Sequence, residues 1–185
     1  MKLDKPRIRP LREEEWPPDA RGVRERLVSD GQVLNIYSTM AHHPDLLRRW
    51  LVFGNHVLLK STLPPRDREI AILRIGWLCG SEYEWGQHVV IGKREGLGEE
   101  EFQRIAAGPD AEGWDSFESA LVSAVDELHS DAMISEGTWS SLTEHYNVQQ
   151  MLDLILTVGQ YNLVSMVLNS TGVQLEDGVD GFPGS

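Results

Sequence analysis

Cysteine is nearly absent: Cys79 is the only one in 185 residues. A single thiol cannot close an internal disulfide, and without a Cys-x-x-Cys pair there is neither a cysteine zinc site nor a paired redox motif. Cationic charge is also scarce. Seventeen Lys and Arg face 29 Asp and Glu, for a formal net charge of −12. A phosphate-backbone binder needs clustered cations to release counterions, and docking on an anionic bilayer needs them too. Nucleic-acid and membrane partners are therefore not expected. No window approaches 18 uncharged apolar residues, so no membrane span is expected. The opening MKLDKPRIRPLREEEW has charge but lacks the apolar stretch of a secretory leader. Also missing are a Gly-x-Ser-x-Gly elbow, a phosphate loop, a dinucleotide fingerprint and a His-Glu-x-x-His pair. These absences leave the expectation of an acidic, cytoplasmic, metal-free domain.

No stretch alternates with period two between turn signals, whereas three-four spacing of apolar residues persists from about residue 22 onward. The fold class expected is all-α. Pro6, Pro10, Pro17 and Pro18 make residues 1–21 an extended arm. Residues 22–175 read as a single helical domain, and the glycine-rich residues 176–185 as a flexible tail. A first helix is expected over about 22–40, interrupted near Gly31. A helix follows His43-Pro44, with Leu47, Leu51, Gly54 and Leu58 on one stripe. Another runs from Pro65 to about Leu78, proline suiting the first turn because its missing donor had no partner there. Ser81 and Glu84 form an apparent capping box for a helix ending at Gly96. A short helix over about 98–106 and another over about 114–129, with Phe117, Leu121, Ala124 and Leu128 on one face, precede one opened by Ser135, which groups Trp139, Leu142 and Tyr146. Asn147 and Gln150 cap a long apolar helix reaching about Ser170. The nearly uncharged runs Ile70–Gly76 and Met151–Gly159 are expected deep in the core or at a subunit interface.

Reactive side chains concentrate between Arg68 and His88. Glu84 and His88 are four apart on a predicted helix and share a face. A carboxylate beside imidazole raises its proton affinity and orients it, which suits a general acid–base pair. The first turn of that helix offers free amides for a substrate carboxylate or a developing enolate. Plainer roles stand beside these. Glu84 would complete the capping box, His88 would be structural, Glu69 would complement its helix dipole, Tyr83 and Trp85 would pack, and Cys79 would be an inert thiol. His42-His43, or Glu84 with His88, lacks a third metal ligand at usable spacing.

Several motifs in order carry a resemblance. They are Leu63-Pro64-Pro65-Arg66-x-Arg68-Glu69-x-Ala71-Ile72-Leu73-Arg74, then Tyr83-Glu84-Trp85-x-x-His88, then Gly92-x-x-x-Gly96-Leu97. Ile36-Tyr37 through His43-Pro44 precedes them; Ala124-Val125-Asp126-Glu127-Leu128 and Val158-Gly159-Gln160-Tyr161-Asn162 follow. Over roughly residues 35–175 the chain resembles the carboxymuconolactone decarboxylase family, which includes the alkylhydroperoxidase D-like proteins. The resemblance implies a helical bundle assembling as a homo-oligomer, a trimer or hexamer. The family's redox branch places two cysteines, three apart, between its glutamate and its histidine; aligned on Glu69 and His88, those positions here are Ser81 and Glu84. The decarboxylase branch lacks the thiols and uses no metal or organic cofactor.

The resulting expectation is a cofactor-independent, decarboxylase-like enzyme acting on a small organic acid, lactone or carbonyl compound. His88 would donate the proton, Glu84 would orient it or act as base, and Glu69 would be the second relay carboxylate. Ser81 would hold the substrate carboxylate, with Tyr83, Trp85 and Tyr161 as the wall. The alternatives are a thiol peroxidase using Cys79 with an external reductant, and a non-catalytic oligomeric binding protein.

Overall fold

The structure, a computed structural model, describes residues 3–29 and 31–183. Among them the helices are α1 (Arg21–Leu27), α2 (Asn35–Met40), α3 (Pro44–Leu59), α4 (Pro65–Leu78), α5 (Glu82–Arg94), α6 (Glu99–Ala107), α7 (Ser116–Asp131), α8 (Glu136–Thr143) and α9 (Val148–Thr171). No strand is present in the described residues, and the only ladder pairing is an isolated bridge between Ser29 and Gln32.

α4 is the axle of the bundle. It packs on α5, α6, α7 and α9, and every residue from Asp67 to Gly76 is buried. Helices on several sides explain why Ile70, Ile72, Leu73 and Ile75 leave no polar stripe. Pro65 supplies the first turn, where a missing amide costs nothing.

α9 is the longest helix. Asn147 Oδ1 accepts the amides of Gln149 and Gln150 at 2.9 and 3.1 Å, and Gln150 reaches back to the Asn147 amide, as the capping pattern predicts. It ends at Gly172, whose φ of +73° suits glycine, and where a Cβ would meet Lys5 O at 3.1 Å. Contrary to the expectation from run length, α9 is long and apolar enough to cross a bilayer, with mean hydropathy 1.5, although half of that window is buried in the bundle. Thr, Gly, Asn and Ser interleave with its leucines, which hides the apolar run from a search for unbroken segments.

The N-terminal segment departs from the extended arm expected. Turns of 3-10 helix occupy Glu13–Glu15 and Pro18–Ala20. Between them Trp16, only 2% exposed, packs with Ala20, Val23, Ala41 and Leu47. Burying the indole gains more than an extended run of prolines would. The interruption expected near Gly31 divides residues 22–40 into two helices, with Gly31 at φ +80° in the turn closed by the Ser29–Gln32 bridge.

The C-terminal segment to Pro183 is not a loose tail. Glu176 accepts the Asn35 amide and the Tyr83 hydroxyl, each at 2.7 Å, and the Gln87 side-chain amide. Phe182 stacks edge-on against Trp77 at 4.9 Å. Gly86 explains how the segment comes so close: a Cβ there would lie 2.5 Å from Asp180 O. Of the three residues expected to group around α8, Tyr146 and Leu142 are buried, but Trp139 is 39% exposed.

Candidate functional site

α4 turns into α5 through Gly80, at φ +59°. Ser81 occupies the N-cap position of α5 but its side chain makes no capping bond, and no capping box forms. Its hydroxyl is sealed without a partner. The plainer reading of Glu84 therefore gives way: its carboxylate is directed one turn along α5 to His88.

His88 is gripped from both sides. Its Nδ1 lies 2.6 Å from Glu69 Oε2, and its Nε2 lies 3.0 Å from Glu84 Oε1. Arg68 Nε donates to the other Glu69 oxygen at 3.0 Å. Glu69 is fully buried, and Glu84 and His88 are nearly so. Ionised carboxylates only accept hydrogen bonds, so a ring with one on each nitrogen can satisfy both only as imidazolium. Burial by itself disfavours that cation. The charge and hydrogen bond of Glu69, joined by those of Glu84, outweigh burial and raise His88 from 6.5 to about 10. Burial likewise opposes ionisation of Glu69, but His88 and Arg68 hold its carboxyl below the ordinary 4.5. The four groups alternate in sign, Arg68, Glu69, His88, Glu84, and sum to zero charge.

The chain of hydrogen bonds ends at a cavity of about 100 Å³ between α3, α5 and α9. Tyr83, Glu84, Gln87, His88 and Ile91 present one face of α5 to it. From α9, Tyr161 sets its ring edge-on to His88 at 4.9 Å. Burial, with the Glu84 and Glu69 charges, pushes its phenol well above the usual range, so its hydroxyl stays protonated. The structure thus brings Glu69, Glu84, His88, Tyr83 and Tyr161 together.

Ser81 and Trp85 do not join them. Neither is among the residues lining the cavity. Trp85 lies on the opposite side of α5, where it meets Trp77, Phe102 and Phe182. Cys79 is also outside; its thiol donates to Asn162 Oδ1 at 3.0 Å, and burial pushes its pKa up. The adjacent histidines are occupied separately. His43 Nδ1 accepts the Leu46 amide at the start of α3, and His42 Nε2 contacts Arg9 O. Sequence reasoning gave no role to Arg68 or to Gln160. Gln160 lines the cavity from α9 and is 5% exposed; its position beside Tyr161 was the available signal.

Residues 44–127 match the model of the carboxymuconolactone decarboxylase family. No curated protein sequence matches the chain. Among solved structures it is similar to an alkylhydroperoxidase AhpD core protein, an uncharacterized peroxidase-related protein of Ralstonia eutropha JMP134, at 18% identity and TM-score 0.77, covering 92% of this chain and 93% of that one. An uncharacterized peroxidase-related protein of Silicibacter sp. TM1040 gives 16% and 0.76, covering 96% and 92%. A cysteine-to-alanine variant of the debrominase Bmp8, in complex with 2,3,4-tribromopyrrole, gives 16% and 0.73, covering 92% and 91%. At these identities the likeness is one of fold. The segment 44–127, which holds Glu69, Glu84 and His88, thus resembles the carboxymuconolactone decarboxylase family, and the chain as a whole has an all-helical, alkylhydroperoxidase D-like fold.

Proposed function

We propose that the protein is a cofactor-independent acid–base catalyst that moves a proton at a carbon of a small organic acid, lactone or carbonyl compound, in the manner of the decarboxylase-like branch. The observation that carries this reading is the buried chain Arg68–Glu69–His88–Glu84, whose last member reaches the cavity. The roles assigned from sequence exchange places. Both nitrogens of His88 are committed to carboxylates, so Glu84 is the group that exchanges the proton with substrate. His88 orients the Glu84 carboxylate as a base; Glu69 and Arg68 fix His88. After substrate deprotonation, neutral Glu84 returns the proton to carbon. In a decarboxylation the same acid form would protonate the enolate left by loss of carbon dioxide.

The family match supports enzymatic chemistry, and the debrominase among the structural neighbours indicates that one fold serves several reactions. A thiol cycle finds less support, because Cys79 is alone, raised in pKa and outside the cavity. We propose further that copies of the chain associate through the outer face of α9, where Leu152, Leu156, Leu163 and Met166 are exposed at steps of four, seven and three residues, which keep them on one side of the helix.

A thermal-shift screen of small acids, lactones and ketones, followed by turnover assays on the hits, tests the reading. Glu84→Gln should bind the same hits and lose roughly two to four orders of magnitude in rate. Full activity in Glu84→Gln would overturn it.

A further inference from the structure

Gln160 stands out on the cavity wall. It is 5% exposed, it lines the same space as Glu84 and His88, and its side-chain amide makes no hydrogen bond to the described residues. That amide is not one of the sealed polar atoms of the protein, so it keeps access to the cavity and can donate to a group that enters it. Gly54 on the facing helix is its neighbour across the cavity: a Cβ there would be in ordinary contact with Gln160 Nε2, at 3.6 Å. The charges around the cavity narrow what can pair with it. Among its lining residues only Glu84 and His88 carry charge, and each is already the other's partner. Arg68 is held by Glu69 and is not part of the lining. A substrate carboxylate would find no free cation, and it would meet the Glu84 carboxylate. Burying an unpaired anion beside a like charge is strongly unfavourable.

We infer that Gln160 is the oxyanion-binding residue of the site, donating to a carbonyl oxygen, and that the substrate entering the cavity is a small neutral carbonyl compound rather than an organic acid. The inference rests on the proton-transfer reading and narrows it to enolisation. Glu84 takes a proton from the carbon next to the carbonyl. The C–H pair becomes the C=C bond, and the carbonyl π pair moves onto oxygen, where the Gln160 N–H holds the developing charge. Neutral Glu84 then returns the proton to carbon, so neither oxidant nor reductant is needed. The cavity limits the reacting part of the molecule. An apolar cavity of about 150 Å³ accepts benzene, and this one is about 100 Å³, so any larger substrate must leave its remainder at the mouth.

Hydroxyacetone, a small neutral ketone, and pyruvate, of similar size but anionic, are suitable probes. In deuterated buffer, saturation-transfer NMR reads binding and loss of the α-proton signals reads exchange in the same sample. Wild type should bind hydroxyacetone and speed its exchange, and should ignore pyruvate. Glu84→Gln should still bind hydroxyacetone but not exchange it. Gln160→Met keeps the length of the side chain but loses the donor. It should bind at least tenfold more weakly and exchange about a hundredfold more slowly. Gln160→Glu, isosteric but anionic, should be at least as impaired, with circular dichroism confirming that both variants are folded. If both Gln160 variants match wild type while Glu84→Gln is inactive, the oxyanion role falls and the proton-transfer reading stands. Equal handling of pyruvate overturns the preference for neutral substrates. Absence of both binding and exchange of either probe in wild type overturns both readings.

Discussion

Arg74 and Glu69 both lie on α4, both are buried, and both are charged, yet their networks end differently. Arg74 is closed off. Its guanidinium pairs with both oxygens of Asp126 at 2.6 and 2.7 Å and donates to the carbonyls of Ile105 and Ala106 at 2.9 Å each. It ties α4 to α6 and α7, and nothing in that arrangement is open to a ligand. Glu69 begins a chain that runs through His88 to Glu84 and stops at a cavity. Two buried ionic networks on one helix therefore serve different ends: a saturated one fixes helices, while one with an open terminus can exchange a proton with something from outside.

Breaking the closed network should cost the most stability. Arg74→Ala leaves Asp126 and two carbonyls without their donor, and urea unfolding should show a loss of about 3–5 kcal/mol. Glu69→Gln strips the buried imidazolium of its nearer counter-charge. It should cost about 2–3 kcal/mol and lower the His88 pKa, readable by NMR titration. Gly86→Ala comes next. Helix propensity alone favours alanine by about 1 kcal/mol, but the Cβ would strike Asp180 O. The expected outcome is a net loss, a lower melting temperature and faster proteolysis beyond Val173. Glu84→Gln should be the mildest for stability, within about 1 kcal/mol, because glutamine keeps the shape and can still contact His88. It should be among the most severe for rate. That inversion, small in stability and large in activity, is what distinguishes the open network from the closed one.

The pH dependence separates them further. His88 is raised, so its contribution to stability is complete below about 6.5 and is lost as the pH climbs towards about 10. Glu69 is lowered, so its contribution is present above its ordinary 4.5 and is lost as the pH falls through the depressed value. Stability from the open network should thus be greatest between those limits and should decline on the alkaline side.

Much of this was legible in the chain. The limits of α4 and α5 follow from Pro65, Gly80 and Gly96, and the four-residue step from Glu84 to His88 places the two on one face. Glu69 was assigned by motif, since nothing local says which long-range partner a buried acid meets. Arg68 was missed because adjacent charges give no sign of which will face inward. Trp85 was misplaced although a signal existed: one residue on from Glu84 is about 100° around the helix, away from the face shared by Tyr83, Glu84, Gln87 and His88. Ser81 matched the capping pattern, and Glu84 matched both that pattern and the four-residue pairing with His88; local sequence offers the two side by side, and the structure takes the second. The Trp16 anchor and the Glu176 contacts are long-range pairings, which local pattern cannot register.

The protonation state of His88 bears most directly on whether an imidazolium bridges two carboxylates and holds Glu84 ready as a base. Nitrogen-15 histidine NMR across a pH series reads both ring nitrogens of His88, with His88→Gln identifying the signal. The expected result is a doubly protonated ring through neutral pH that titrates at about 10. A neutral ring at pH 7, titrating near the ordinary value of about 6.5, would contradict it.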